Sequence, residues 1–179
     1  MLRTLFALCT VALCAVTATA ADVKYALTGD NTKLTFVGKK PDGKHEGAFP
    51  KLTGSATVPG GDVTKLSVTI DIDTESLTSD NAGLTKHLQN ADFFDVKNHP
   101  KASFKSTKIE KTEKGYTVTG DLTLLGKTKS VTFPATIAAG DSLTVTASFA
   151  IDRTQWGMSY GKGKIDNDVT IGIAVTAKK

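Results

Sequence analysis

The feature that most constrains this chain is a two-residue hydrophobic period repeated over most of its length. Leu66, Val68, Ile70 and Ile72 alternate with Ser67, Thr69, Asp71 and Asp73. The same rhythm runs through residues 116–124, 131–137, 143–151 and 169–177, and less regularly through 34–37, 49–58 and 102–109. Successive side chains of a strand point to opposite faces, so this pattern predicts half-buried strands with one oily and one wet face. Threonine fills much of the polar phase, as solvated strand positions favour.

Turn signals separate the runs: Glu113-Lys114-Gly115, Leu125-Gly126-Lys127 and Ala139-Gly140-Asp141. Connections this short join antiparallel neighbours, because parallel strands need a long crossover. One interruption is helical. Over 81–89, Leu84 and Leu88 fall on one face, with Ser79, Asp80 or Asn81 as candidate N-caps. A Gly-rich loop over 153–167 precedes the last strand, and no repeat, linker or second domain is visible.

The expectation is therefore an all-β domain of about eight antiparallel strands with one short helix, either a closed barrel or a two-sheet sandwich. Small inward residues (Gly54, Ala56, Ala102, Ser106, Gly120, Ala135, Ala147, Ala177) interleave with Phe36, Phe104, Phe133, Phe149, Ile70 and Ile171. Such a mixture can interdigitate into a solid core or leave an apolar slot, and the residues alone admit both.

The chain begins Met1-Leu2-Arg3, continues through an apolar run over 5–16, and reaches Ala18-Thr19-Ala20-Ala21. A basic start, a short apolar stretch and a small-x-small site predict a signal peptide over 1–20 and a domain over 21–179. Both cysteines, Cys9 and Cys14, fall in that leader, so the domain is expected to hold neither disulfide nor thiolate site. The formal charge of +4, lowered by one when Arg3 is removed, is too small for a nucleic-acid-sized basic field. Neither nucleic-acid binding nor stable membrane insertion is expected.

Catalytic and metal motifs are weak. His45, His87 and His99 stand far apart, without the spacing of a zinc site. No Gly-x-Ser-x-Gly elbow or HExxH helix occurs. An enzymatic reading would have to use His87, Asp92 or His99; His87 is expected instead beside a turn, satisfied by a backbone group. The domain is expected not to be an enzyme and to need no cofactor or metal.

Three motifs are more specific. Residues 87–106 read His87-Leu88-Gln89-Asn90-Ala91-Asp92-Phe93-Phe94-Asp95-Val96-Lys97-Asn98-His99-Pro100, then Ala102-Ser103-Phe104-Lys105-Ser106. Val118-Thr119-Gly120-Asp121-Leu122-Thr123-Leu124-Leu125-Gly126-Lys127 and Arg153-Thr154-Gln155-Trp156-Gly157-Met158 follow in order. Together they resemble the YceI-like family across essentially the whole domain. The sequence departs from the family where an Arg-Asp pair often precedes the His-Leu, since Leu84-Thr85-Lys86 stands there.

The resemblance implies an extended, eight-stranded antiparallel lipocalin-like barrel holding a long-chain isoprenoid lipid, such as an isoprenoid quinone or prenyl phosphate, in an apolar interior. It also implies an exported protein, periplasmic or secreted. The expected lining is Phe36, Ile70, Phe104, Leu122, Phe133, Phe149 and Ile171, with Phe93, Phe94, Trp156 and Met158 at a lid or mouth. An isoprene unit gains at most about 3–4 kcal/mol on burial. Micromolar affinity needs only about 8 kcal/mol, so a few units suffice and salt should matter little. Bulky changes such as Gly120→Leu or Ala135→Trp are expected to block the slot and spare the fold. The alternative is a structural or stress-response module of the same fold with a solid core. The oligomeric state stays open, a homodimer included.

Overall fold

A computed structural model describes residues 21–179. The expected leader, with Cys9 and Cys14, lies outside the described residues. The alternating runs form strands where their period predicts them. In chain order these are β1 (Val23–Thr28), β2 (Thr32–Lys40), β3 (Gly43–Ala48), β4 (Leu52–Val58), β5 (Ser67–Asp73), β6 (Thr78–Ser79), β7 (Lys101–Thr112), β8 (Gly115–Leu124), β9 (Lys127–Ala139), β10 (Ser142–Asp152) and β11 (Asp168–Lys178). One helix, α1 (Ala82–Gln89), follows β6.

All eleven segments join one antiparallel sheet in the order β1-β4-β5-β7-β8-β9-β10-β11-β2-β3-β6. The count is eleven rather than the expected eight because two long strands are each broken once and the short β6 is added at an edge. β1 and β2 form one arm of a hairpin, interrupted at 29–31, and β3 and β4 form the returning arm, interrupted at 49–51. Before the break Thr28 faces Thr53; after it Thr35 faces Ala48, where an unbroken ladder would place Glu46. The hairpin meets β11 through β2 and β5 through β4, so it draws the two ends of the sheet together into a barrel. β6 is a two-residue addition to the free edge of β3.

These breaks explain the segments whose period is imperfect. Tyr25 and Leu27 are buried in β1, but Thr32 and Phe36 are buried in β2, so the inward phase changes from odd to even numbers. Phe49, then Leu52, Ala56 and Val58, record the matching change in the returning arm. β7 changes phase by a bulge: Ser106 faces Gly120, and Lys108 faces Thr119. An extra residue in one strand does this without ending the sheet. Beside the bulge, the Val68 N–H donates to the Ser106 hydroxyl at 2.8 Å.

The helix is fixed by its cap. Asn81 accepts from the Leu84 N–H at 2.9 Å through its side-chain oxygen, and Leu84 and Leu88 turn inward. The inward residues form two clusters at opposite ends of the barrel. One gathers Tyr25, Leu27, Ala56, Val58, Ile137, Leu143 and Ala177. The other gathers Phe36, Phe49, Leu52, Ile72, Leu88, Phe93, Leu124, Trp156 and Met158.

Candidate functional site

The two ends differ in how completely they are filled. In the first cluster Tyr25, Leu27, Ala56, Leu143 and Ala177 are all at most 2% exposed. In the second, Leu34, Ile70, Leu122, Ile151, Val169 and Ile171 point inward yet are only half-buried. They border a cavity of about 220 Å³ with an almost wholly apolar wall. For scale, an engineered cavity of about 150 Å³ lined by aliphatic side chains stays dry and takes up a benzene-sized guest.

Strand β11 records the change along one edge. Val169, Ile171 and Ile173 line the cavity; Val175 and Ala177, the next two inward positions, are sealed. At about 3.4 Å per residue the hollow therefore runs roughly 14 Å along this strand. Three aromatic rings of the sheet line it. Phe133 and Phe149 stack with centroids 4.1 Å apart and planes 4° from parallel, and Phe104 lies 5.9 Å from Phe133. A Cβ on Gly120 would run into the Phe104 ring and approach the Lys105 carbonyl to 2.6 Å, so only glycine leaves that ring its place.

A second aromatic group lines the wall beside the broken hairpin. Phe49 and Phe94 meet edge to face at 5.3 Å, and Phe36 lies 5.7 Å from Phe49. Gly47 seats Phe36 in the same manner as Gly120 seats Phe104. The mouth is covered by α1, through Leu84 and Leu88, by Phe93 and Phe94, and by the Gly-rich loop, through Met158 and Ile165.

Arg153 holds that loop down. It is 4% exposed and donates to three carbonyls: from Nη1 to Met158 at 2.7 Å, from Nε to Asp166 at 3.1 Å, and from Nη2 to Ile165 at 3.4 Å. Burial pulls the guanidinium below its ordinary pKa, an effect partly offset by neighbouring Asp152. Asp152 itself is held below the usual carboxylate range by the Thr154 hydroxyl and N–H. Across the mouth, the Asp80 carboxylate accepts from the Glu46 N–H and pairs with His45 at 3.0 Å, which lowers its pKa and ties β3 to the chain before α1.

Ten of the eleven expected site residues border this cavity: the seven expected in the lining, Phe36, Ile70, Phe104, Leu122, Phe133, Phe149 and Ile171, and three of those expected at the lid or mouth, Phe93, Phe94 and Met158. Trp156 does not. Expected at the lid or mouth, it is 1% exposed and sits behind the wall, its indole N–H donating to the Leu122 carbonyl at 3.2 Å. An indole N–H must find a partner when buried, and that requirement draws it toward the strand. His87 also differs from expectation: its Nε2 pairs with the Asp92 carboxylate at 3.1 Å rather than with a backbone group, and its ring edge packs on Phe93 and Tyr160.

Sequence reading missed Leu34, Phe49, Leu52, Ile72, Ile151, Val169 and Ile173 on the wall, and the buried Arg153. Ile72, Ile151, Val169 and Ile173 share strand phase with residues that were named, so the alternation carried that signal. Arg153 gave none, because an arginine after a strand reads as solvated. Among the described residues no group of three or more His, Cys, Asp or Glu is arranged to hold a metal ion, and no helix is long and apolar enough to cross a membrane.

An antiparallel barrel closed around an apolar hollow with a covered mouth defines a lipocalin-like architecture. Residues 25–177 match the YceI-like domain family, and the chain belongs to that family. Among its relatives is a UPF0312 protein of Pseudomonas putida strain W619, 35% identical over 141 residues, covering 74% of this chain and 73% of that protein. A UPF0312 protein of Serratia proteamaculans is 32% identical over 136 residues, covering 72% and 71%. In structure the chain is similar to Burkholderia cenocepacia BcnA, with a TM-score of 0.76 at 27% identity over 82% of this chain and 96% of BcnA. It also shares its fold with a polyisoprenoid-binding domain from Saccharophagus degradans implicated in plant cell wall breakdown. There the TM-score is 0.68 at 12% identity, over 87% and 97% of the two chains.

Proposed function

We propose that this protein is an exported, non-enzymatic carrier that holds an isoprenoid lipid by its tail, with the headgroup at the mouth between α1 and the Gly-rich loop. The observation that carries the reading is the contrast inside one barrel: about 220 Å³ left open behind apolar side chains, next to an end where Tyr25, Leu27, Ala56, Leu143 and Ala177 are at most 2% exposed. At ~24 cal/mol per Å³, an unfilled hollow of this size costs on the order of 5 kcal/mol. A fold able to close one end has no physical need to leave the other open, and a guest removes that cost. The polyisoprenoid-binding domain of the same fold supports a branched, unsaturated tail as the guest, and the leader-like residues 1–20 support export.

The wall offers the tail dispersion contacts and dehydration; Lys39, Lys40, His45 and Arg153 also border the hollow, but almost none of the surface facing it is polar. Retention should therefore change little between low and high salt. The test is native mass spectrometry of freshly purified protein, followed by organic extraction. The expected result is a lipid adduct whose extract contains an isoprenoid quinone or prenyl phosphate. Protein that is free of lipid and takes up neither class when offered it would overturn the reading.

A further inference from the structure

Resting on the tail-binding reading, we infer that the Phe104–Phe133–Phe149 layer is the floor of the cavity and sets how many isoprene units the protein can bury. The hollow does not thread the barrel. On the mouth side of the layer, Ile151 and Val169 border open space; on its other side, Leu143, Ala147, Val175 and Ala177 are buried. Phe133 belongs to both regions. It lines the cavity and is also a member of the filled cluster at 5% exposure. Phe133 stacks on Phe149 at 4.1 Å and is flanked by Phe104 at 5.9 Å, so the three rings form one continuous aromatic shelf on the wall of β7, β9 and β10.

The depth gives the expected capacity. Each isoprene unit adds four carbon–carbon bonds of about 1.5 Å, roughly 5 Å when extended. The hollow of roughly 14 Å along β11 thus takes about three units. Units beyond the floor stay outside, in water or beneath the lid, and contribute nothing to affinity. Selectivity for tail length then comes from three side chains of the sheet rather than from the mouth.

The experiment measures affinity for geraniol, farnesol, geranylgeraniol and solanesol, in order of growing tail, by competition read in native mass spectra of the lipid-stripped domain. The wild type should gain tenfold or more per added unit and level off between farnesol and geranylgeraniol. Phe133→Ala should move that break toward longer tails. Val131→Phe should move it toward shorter ones, because Val131 lines the cavity and also packs against both clusters. Phe93→Ala, at the mouth, should lower every affinity and leave the break where it was. If Phe133→Ala fails to fold, Phe149→Leu and Val131→Phe decide the matter. Affinity that keeps rising to solanesol, or a break unmoved by these variants, overturns the floor while leaving tail binding intact. A wild type that binds no alcohol of the series overturns tail binding itself, and the floor with it.

Discussion

The two ends of the barrel are built from the same strands, in the same alternation, and end up physically different. At the end holding Tyr25, Leu27 and Leu143, these side chains are almost fully buried; at the other end Leu34, Ile151 and Ile171 face a void. Composition does not separate them. Phe, Ile, Leu and Ala occur at both. The difference lies in geometry: at the filled end Tyr25 is buried, its hydroxyl donating to the Gly140 carbonyl at 2.7 Å. At the hollow end the broken hairpin carries β3 away from β5, and α1 with the Gly-rich loop roofs the space instead of filling it.

The contrast can be broken most directly by truncation. Leu143→Ala, at 1% exposure, should lose about 2–5 kcal/mol in denaturant unfolding. Ile171→Ala, which already borders open space, should lose clearly less. Equal losses would mean that the two ends are equally filled. Enlargement should give the opposite asymmetry with a smaller magnitude. Ala135→Phe, in the filled end, should cost about 1–3 kcal/mol, whereas Ile171→Phe should leave the unfolding midpoint nearly unchanged and abolish lipid retention.

The same reasoning changes what two bulky substitutions report. Ala135 is buried in the filled cluster and does not line the cavity, so Ala135→Trp would test the fold and not the slot. Gly120→Leu would collide with Phe104 and with the Lys105 carbonyl. The milder Gly120→Ala should destabilise by about 1–2 kcal/mol, and Phe104→Leu in the same chain should recover much of the loss, a coupling visible in a double-mutant cycle. Smallest of all, Asn81→Ala removes the N-cap of α1 and should cost about 1 kcal/mol. Because α1 roofs only the hollow end, hydrogen exchange should quicken in α1 and at the mouth while the β10–β11 ladder near Leu143 stays protected.

The strands themselves were legible wherever the period is unbroken, as in β5, β8, β10 and β11. The phase of each named the side chains that turn inward. Besides the two-residue β6, β1 and β3 escaped, because their inward phase is out of step with the strands that continue them. A reader following alternation alone sees irregular runs there, because the slips at 29–31 and 49–51 are visible only once both hairpin arms are set side by side. Trp156 illustrates the limit for single residues. Its size and place after a strand suggest a lid, but the need of its N–H for an acceptor takes it behind the wall.

By itself the sequence determined an antiparallel all-β domain, which residues face its interior, and that the interior is apolar. These follow from a local alternation that each strand carries independently. Whether that interior is full was decided only in the tertiary structure. Free volume is what remains after facing side chains from many strands have met, and no single stretch of chain contains that difference.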